Sequence, residues 1–133
     1  MASVFSRIIA GELPARFVYE DDRCVAFLSI APLREGHVLV VPREEIDHWL
    51  DLDDGLLAHL MAVSKTIGAA LDRIYRPTKV GVMLAGLEVP HVHVHLVPID
   101  TMNDMDFAGA EKDPDPAVLD RVAADIRASL SSK

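Results

Sequence analysis

The stretch Pro90-His91-Val92-His93-Val94-His95-Leu96-Val97-Pro98 places three of the chain's six histidines within five residues. Successive side chains of an extended strand point to opposite faces, so the alternation sets the three imidazoles on one face, ~7 Å apart at ~3.3 Å rise per residue. Burying three such rings for packing alone would be costly, because each brings a pair of polar nitrogens to satisfy. Two chemistries fit the pattern. Alternate histidines can converge on a zinc or iron ion, with Glu88 as a nearby carboxylate ligand and His37 as a further nitrogen. Alternatively, one neutral imidazole attacks phosphorus while the others bind or protonate the phosphate oxygens and the leaving group, which suits a side chain that titrates near neutrality. The isolated His48 and His59 read as packing or solvent-facing residues.

The elements that must hold this segment can be read from periodicity. Ser3 caps a short helix with Val4, Phe5, Ile8 and Ile9 on one side, ended by Gly11 and Pro14. Residues 16–19 and 24–28 read as two strands joined by an acidic turn. His37 to Val41 is a third strand, whose continuous apolar run implies burial on both faces. The strongest helix signal runs from Asp53 to Tyr75, with Leu56, Leu60, Val63, Ile67, Leu71 and Ile74 at spacings of three and four, an Asp53 or Asp54 cap and a stop at Arg76-Pro77. Strands at 79–84 and 91–98 follow, then a loop, then an amphipathic helix over about 115–130 through Val118, Val122 and Ile126. That order predicts one α+β domain over residues 1–133, with an antiparallel sheet of about five strands under the long helix. Its core is expected within about residues 4–98, with 99–133 as a tail. Val92, Val94 and Leu96 are expected to face the core beneath the helix.

Composition bounds the function. The net charge of −8 argues against sequence-independent nucleic-acid binding, which draws its affinity from Lys and Arg. Cys24 is the single cysteine, so neither an intrachain disulfide nor a cysteine-rich zinc site can form. No apolar run approaches the ~20 residues of a membrane span, and Arg7 and Glu12 interrupt the N-terminal apolar stretch as a secretory signal. The expected location is cytoplasmic.

The run His91-Val92-His93-Val94-His95-Leu96-Val97 resembles the signature of the histidine-triad (HIT) family, in which three histidines alternate with hydrophobic residues. FSRIIAGELPARFVYEDDRCVAFLSI, followed by GHVLVVP, resembles the N-terminal half of that family's Hint branch. The resemblance implies a HIT-like fold and a hydrolase or nucleotidyltransferase acting at the α-phosphate of a purine nucleoside phosphoramidate or related conjugate. It makes His93 the nucleophile of a covalent nucleotidyl intermediate, with His91 and His95 orienting it and binding phosphate or leaving group, and His37 as the fourth histidine. It implies no metal and no cofactor, a purine nucleotide such as AMP as ligand, and a homodimer whose sheet continues across the interface. Phe5, Ile8, Leu13, Phe27 and Ile30 fall where such proteins wall the purine, and the same apolar residues would equally serve as core.

Departures from the family pattern shape further expectations. Ser29 stands where an aspartate usually holds both ribose hydroxyls, and it offers a single uncharged contact instead. The loop MLAGLEVPH carries Leu87 and Glu88 in place of the customary asparagine and Gly-Gln-Ser type approach. An ionised Glu88 would oppose phosphate unless protonated, turned outward or paired with a charged histidine; an outward, solvated side chain is expected. Ser3 and Ser6 stand where many bacterial relatives carry zinc-binding cysteines, so that structural zinc is expected to be absent. Two other readings stay open: a non-catalytic nucleotide-binding or interaction module with the same fold, and a metal-dependent hydrolase built on the histidine cluster.

Overall fold

A computed structural model describes residues 2–131; residues 1, 132 and 133 of the expected domain lie outside the described residues. Helix α1 spans Val4–Ile9, and the Ser3 hydroxyl accepts the Ser6 N–H at its start. Strands β1 (Phe17–Glu20), β2 (Cys24–Leu28) and β3 (Val38–Pro42) follow, then helix α2 (Asp54–Tyr75), β4 (Lys79–Met83), β5 (Val94–Ile99) and helix α3 (Pro116–Ser131). All five strands form one antiparallel sheet in the order β1-β2-β3-β5-β4. The α+β architecture matches the expectation, with α2 as the crossover that carries the chain past β5 to the far edge at β4.

Alternation along the strands sorts side chains onto two faces. Cys24, Ala26 and Leu28 of β2, Val38 and Val40 of β3, and Val94 and Leu96 of β5 face α2 and α3, where Leu60, Ile67, Leu71 and Ile126 are fully buried against them. Val25, Phe27, Leu39 and Val41 point to the opposite face, which α1 covers through Phe5, Ile8 and Ile9. A sheet clothed on both sides explains why β2 and β3 read as uninterrupted apolar runs.

Two expectations need correction. The strand expected over 91–98 begins at Val94, because the Val92 N–H donates to Ile46 O at 2.7 Å and the His91 N–H to Val89 O at 2.8 Å, so these main-chain donors before Val94 go to loops and not to β3. The residues beyond 98 are no appendage: Leu119, Val122, Ala123 and Ile126 of α3 belong to the main core, and the segment expected as plain loop contains two 3-10 turns, Met102–Met105 and Phe107–Gly109. Sequence periodicity hides that docking, since an amphipathic helix says what it buries and not against what.

Gly36 has a reason for being glycine. Its φ is +94°, and a Cβ there would approach a Tyr75 ring carbon to 2.6 Å. It turns the chain into β3 immediately before His37.

Candidate functional site

The four histidines of the cluster are all buried, and their hydrogen bonds place the ring hydrogen of each neutral form. His91 Nε2 lies 2.8 Å from the carbonyl of Pro42, which can only accept, so Nε2 carries the hydrogen. Its Nδ1 is then an acceptor for the Ser3 hydroxyl at 2.7 Å. Burial holds the His91 pKa below the usual imidazole value, in keeping with a neutral ring. Both nitrogens of His91 are thus engaged away from solvent.

The same residue orients its neighbour. The His91 carbonyl accepts from His93 Nδ1 at 2.7 Å, so the hydrogen of His93 sits on Nδ1, and Nε2 bears the free lone pair when the ring is neutral. Phe5 packs edge-on against His93, with ring centroids 4.9 Å apart, and fixes the plane of the imidazole.

A second chain of bonds fixes His95. The Leu33 N–H donates to His37 Nδ1 at 3.0 Å, which leaves the His37 hydrogen on Nε2. Nε2 lies 2.9 Å from His95 Nδ1 and donates to it, so the His95 hydrogen is on Nε2. That atom is buried and has no hydrogen-bond partner among the described residues. Burial, reinforced by the neighbouring His95 and His93 rings, pushes the His37 pKa down to about 3. Burial and then His93 take His95 down to about 4, against the opposing pull of Glu88. Both rings are neutral at pH 7.

The Nε2 atoms of His93 and His95 face a cleft of about 570 Å³, a size suited to a small organic ligand. Phe5, Ile8, Leu13, Phe27, Ser29, Ile30 and Glu88, the residues expected from sequence, all line it, as do His37, His93 and His95. Phe5 and Phe27 are nonetheless almost fully buried, in edge-on contact at 5.6 Å between centroids, so they are core and wall together. Ile30 is at the exposed mouth. The Ser29 hydroxyl accepts the Ala31 N–H at 3.1 Å and keeps its own hydrogen to donate. His91 does not line the cleft; it stands behind His93.

Glu88 contradicts the expectation of an outward side chain. Its Oε1 lies 3.3 Å from His93 Nε2 and 3.6 Å from His95 Nε2, with 46% of the side chain exposed. Partial burial favours the neutral acid, yet the hydrogen bond with His93 and the two nearby rings outweigh it and hold the carboxyl below the usual range. A carboxylate can only accept, so the hydrogens open to it are the one on His95 Nε2 and the one that His93 Nε2 carries when that ring is protonated.

Sequence reasoning missed Phe107 and Ala110, which reach the cleft from the 3-10 turns; Phe107 stacks edge-on to His95 at 5.0 Å between centroids. An isolated aromatic in an otherwise acidic and small-residue stretch was the available signal.

Neither metal arrangement fits. His37 and His91 spend both nitrogens on protein partners, so they do not converge with His93 and Glu88. Two groups among the described residues bring donor atoms within 4.8 Å of one another, Glu88, His93 and His95 in the cleft and Asp21, Cys24 and His59 outside it, and in the first the His37–His95 chain of bonds must rearrange before His95 Nε2 can act as a ligand. At the N-terminus, Ser3 is bonded to His91, and Glu45 Oε1 accepts from the Ser3 N–H at 2.7 Å and the Ser6 hydroxyl at 2.6 Å. Hydroxyls already committed to these bonds replace the thiolates that a structural zinc would require.

The HIT domain family model matches residues 10–102. An uncharacterized HIT-like protein of Borreliella burgdorferi is 41% identical over 102 residues, covering 71% of this chain and 73% of that protein. Among solved structures, a Zn-bound histidine triad family protein from Mycobacterium smegmatis superposes with a TM-score of 0.83 at 27% identity, covering 98% of this chain and 94% of the other. A hypothetical histidine triad nucleotide-binding protein from Sulfolobus tokodaii gives 0.81 at 28% identity, over 96% and 91% of the two chains.

Proposed function

The chain belongs to the HIT domain family, and from that premise we propose that it is a nucleotide-binding hydrolase or nucleotidyltransferase that cleaves purine nucleoside phosphoramidates or related conjugates at the α-phosphate. The observation that carries the reading is the pair of Nε2 atoms at the cleft: on His95 one that bears a hydrogen, and on His93 one whose lone pair, in the neutral ring, is directed into the cleft once the Glu88 carboxylate moves off it. Nucleophile and phosphate-oxygen donor stand side by side, with ring centroids 4.8 Å apart.

In the proposed cycle, the purine lies between the apolar walls at Phe5, Ile8, Leu13, Phe27 and Ile30, and Ser29 donates to the ribose. His93 Nε2 attacks phosphorus and the bond from phosphorus to the amine breaks. The amine nitrogen takes one proton from solvent as it leaves, and the proton that water gives up in the second step returns to solvent, while His95 Nε2–H binds a non-bridging oxygen. Water then attacks phosphorus, breaks the bond to His93 and loses a proton, so that water and conjugate yield amine and nucleoside monophosphate with protons balanced. His91 acts as a positioning residue through its carbonyl, and His37 keeps the His95 hydrogen on the cleft side. The reading needs no cofactor, and a cytoplasmic location goes with it.

A homodimer is also proposed. Among the described residues the outer edge of β4 is unpaired, Val82 and Met61 are exposed beside it, and a groove of about 470 Å³ runs between α2 and β4. At the opposite edge, α3 packs against β1, and Arg127 donates to Phe17 O at 2.8 Å. Pairing with the same edge of a second copy would satisfy its open main-chain groups.

Incubation with adenosine 5′-phosphoramidate followed by acid-free intact mass measurement is expected to reveal a nucleotidyl adduct that maps to His93. His93→Ala should lower turnover by roughly 10³-fold or more. Unchanged turnover in that variant would end the proposal, and nucleotide binding without turnover in the unaltered protein would favour the non-catalytic module, for which the carboxylate over His93 is the motivating observation.

A further inference from the structure

None of the described residues lining the cleft is Lys or Arg. Phosphate recognition therefore rests on ring hydrogens, and two of the facing rings, His37 and His95, are neutral at pH 7. The single carboxylate in the lining belongs to Glu88, and its Oε1 lies against both Nε2 atoms that the proposed cycle assigns to phosphorus and to a phosphate oxygen. It occupies the place of an anionic oxygen of the ligand. The side chain is about half exposed and follows Gly86, whose φ of +76° turns the loop, so water is open to it when a ligand displaces it.

The charge of the ligand changes during the reaction. An α-phosphate joined to both ribose and a leaving group carries one negative charge, whereas the released monoester has a second ionisation near pH ~6 and is close to dianionic at neutral pH. With no permanent cation to offset it, Glu88 repels the dianion about twice as strongly as the monoanion at the same distance. The facing titratable groups are His93 and His95 on the segment beneath the carboxylate, and His37 behind them, immediately before β3.

We propose that Glu88 is a charge filter on the phosphate subsite: it admits the singly charged phosphorus of a nucleotide conjugate and expels the doubly charged monophosphate product. This specificity role rests on the nucleotide reading given above. It gives the carboxylate beside His93 and His95 a use, because its return to these rings displaces product and limits inhibition by it. The residue sets which charge state is held and is not itself assigned a bond-making step.

The test compares AMP with its O-methyl ester, a monoanion at all relevant pH values, by calorimetric titration of the unaltered protein and of Glu88→Gln at pH 7.5. The substitution is expected to tighten AMP by about tenfold and the methyl ester by no more than about threefold. The difference for AMP should shrink at pH 5.5, where its second charge is lost, and histidine protonation, acting on both ligands, is controlled by the ester. In turnover assays the inhibition constant of AMP should fall by the same factor in Glu88→Gln. Equal tightening of both ligands, or none, overturns the charge filter while leaving the nucleotide reading intact. Failure of either protein to bind either ligand overturns both.

Discussion

His37 Nε2 lies 2.9 Å from His95 Nδ1, and the proton between them belongs to His37 because its other nitrogen accepts the Leu33 N–H. Two buried rings are thereby held neutral in one defined tautomeric arrangement. Acid must disrupt it.

In the folded chain the pKa values of His37 and His95 are pushed down to about 3 and about 4, whereas the ordinary value is 6.5. Between these limits the unfolded chain binds protons that the folded chain does not, so this contribution to stability is complete above pH 6.5 and is lost as pH falls. The slope is about 1.4 kcal/mol per pH unit for each such histidine. Thermal denaturation between pH 6.5 and 4.5, above the range of most carboxylates, should show a continuous fall in Tm that is smaller in His37→Asn. A flat profile would contradict the burial of neutral rings.

Ser3 joins the start of α1 through His91 to His93, the proposed nucleophile. Ser3→Ala should cost about 1 kcal/mol by loss of the helix cap and, separately, lower kcat by about tenfold with KM little changed, since the bond that locates His91 and hence its carbonyl is gone. Ser3→Thr restores the hydroxyl and should recover kcat. A loss of Tm with kcat intact would confine Ser3 to capping.

Gly36→Ala places a methyl group at positive φ against the Tyr75 ring. A loss of about 2 kcal/mol or more is expected in denaturant unfolding. Because the strained residue adjoins His37, activity at temperatures well below Tm should fall too.

Val82 is half exposed on the open edge strand. Val82→Lys should convert the proposed dimer to a monomer in light scattering after size exclusion, as a charge on a strand edge opposes pairing. A native monomer, or a dimer indifferent to this change, would refute the β4 interface.

Much of this molecule is legible in the one-dimensional order of residues. The three-and-four spacing from Leu56 to Leu71 locates α2 to within a residue, and the strands β2 and β3 emerge from apolar runs bounded by turn residues. The alternation of His91, His93 and His95 marks the site but misleads about its form, for the alternating pattern suggests three equivalent ligands on one strand. The structure divides them: His91 is committed to Ser3 and Pro42, and only His93 and His95 reach the cleft. That division depends on partners far along the chain, as do the docking of Phe107 and the inward turn of Glu88. Local periodicity carries no information about which distant hydroxyl or carbonyl a ring nitrogen will meet.

The bond between Ser3 and His91 spans 88 residues of chain, and that between His37 and His95 spans 58. Contacts so distant in sequence are entropically expensive to close and form late relative to local helices. Until both loops are shut, the tautomers are unassigned and no imidazole has a directed lone pair. On the proposed function, a nascent or partly unfolded chain lacks a directed nucleophile, and the appearance of turnover during refolding would report the completion of the whole domain.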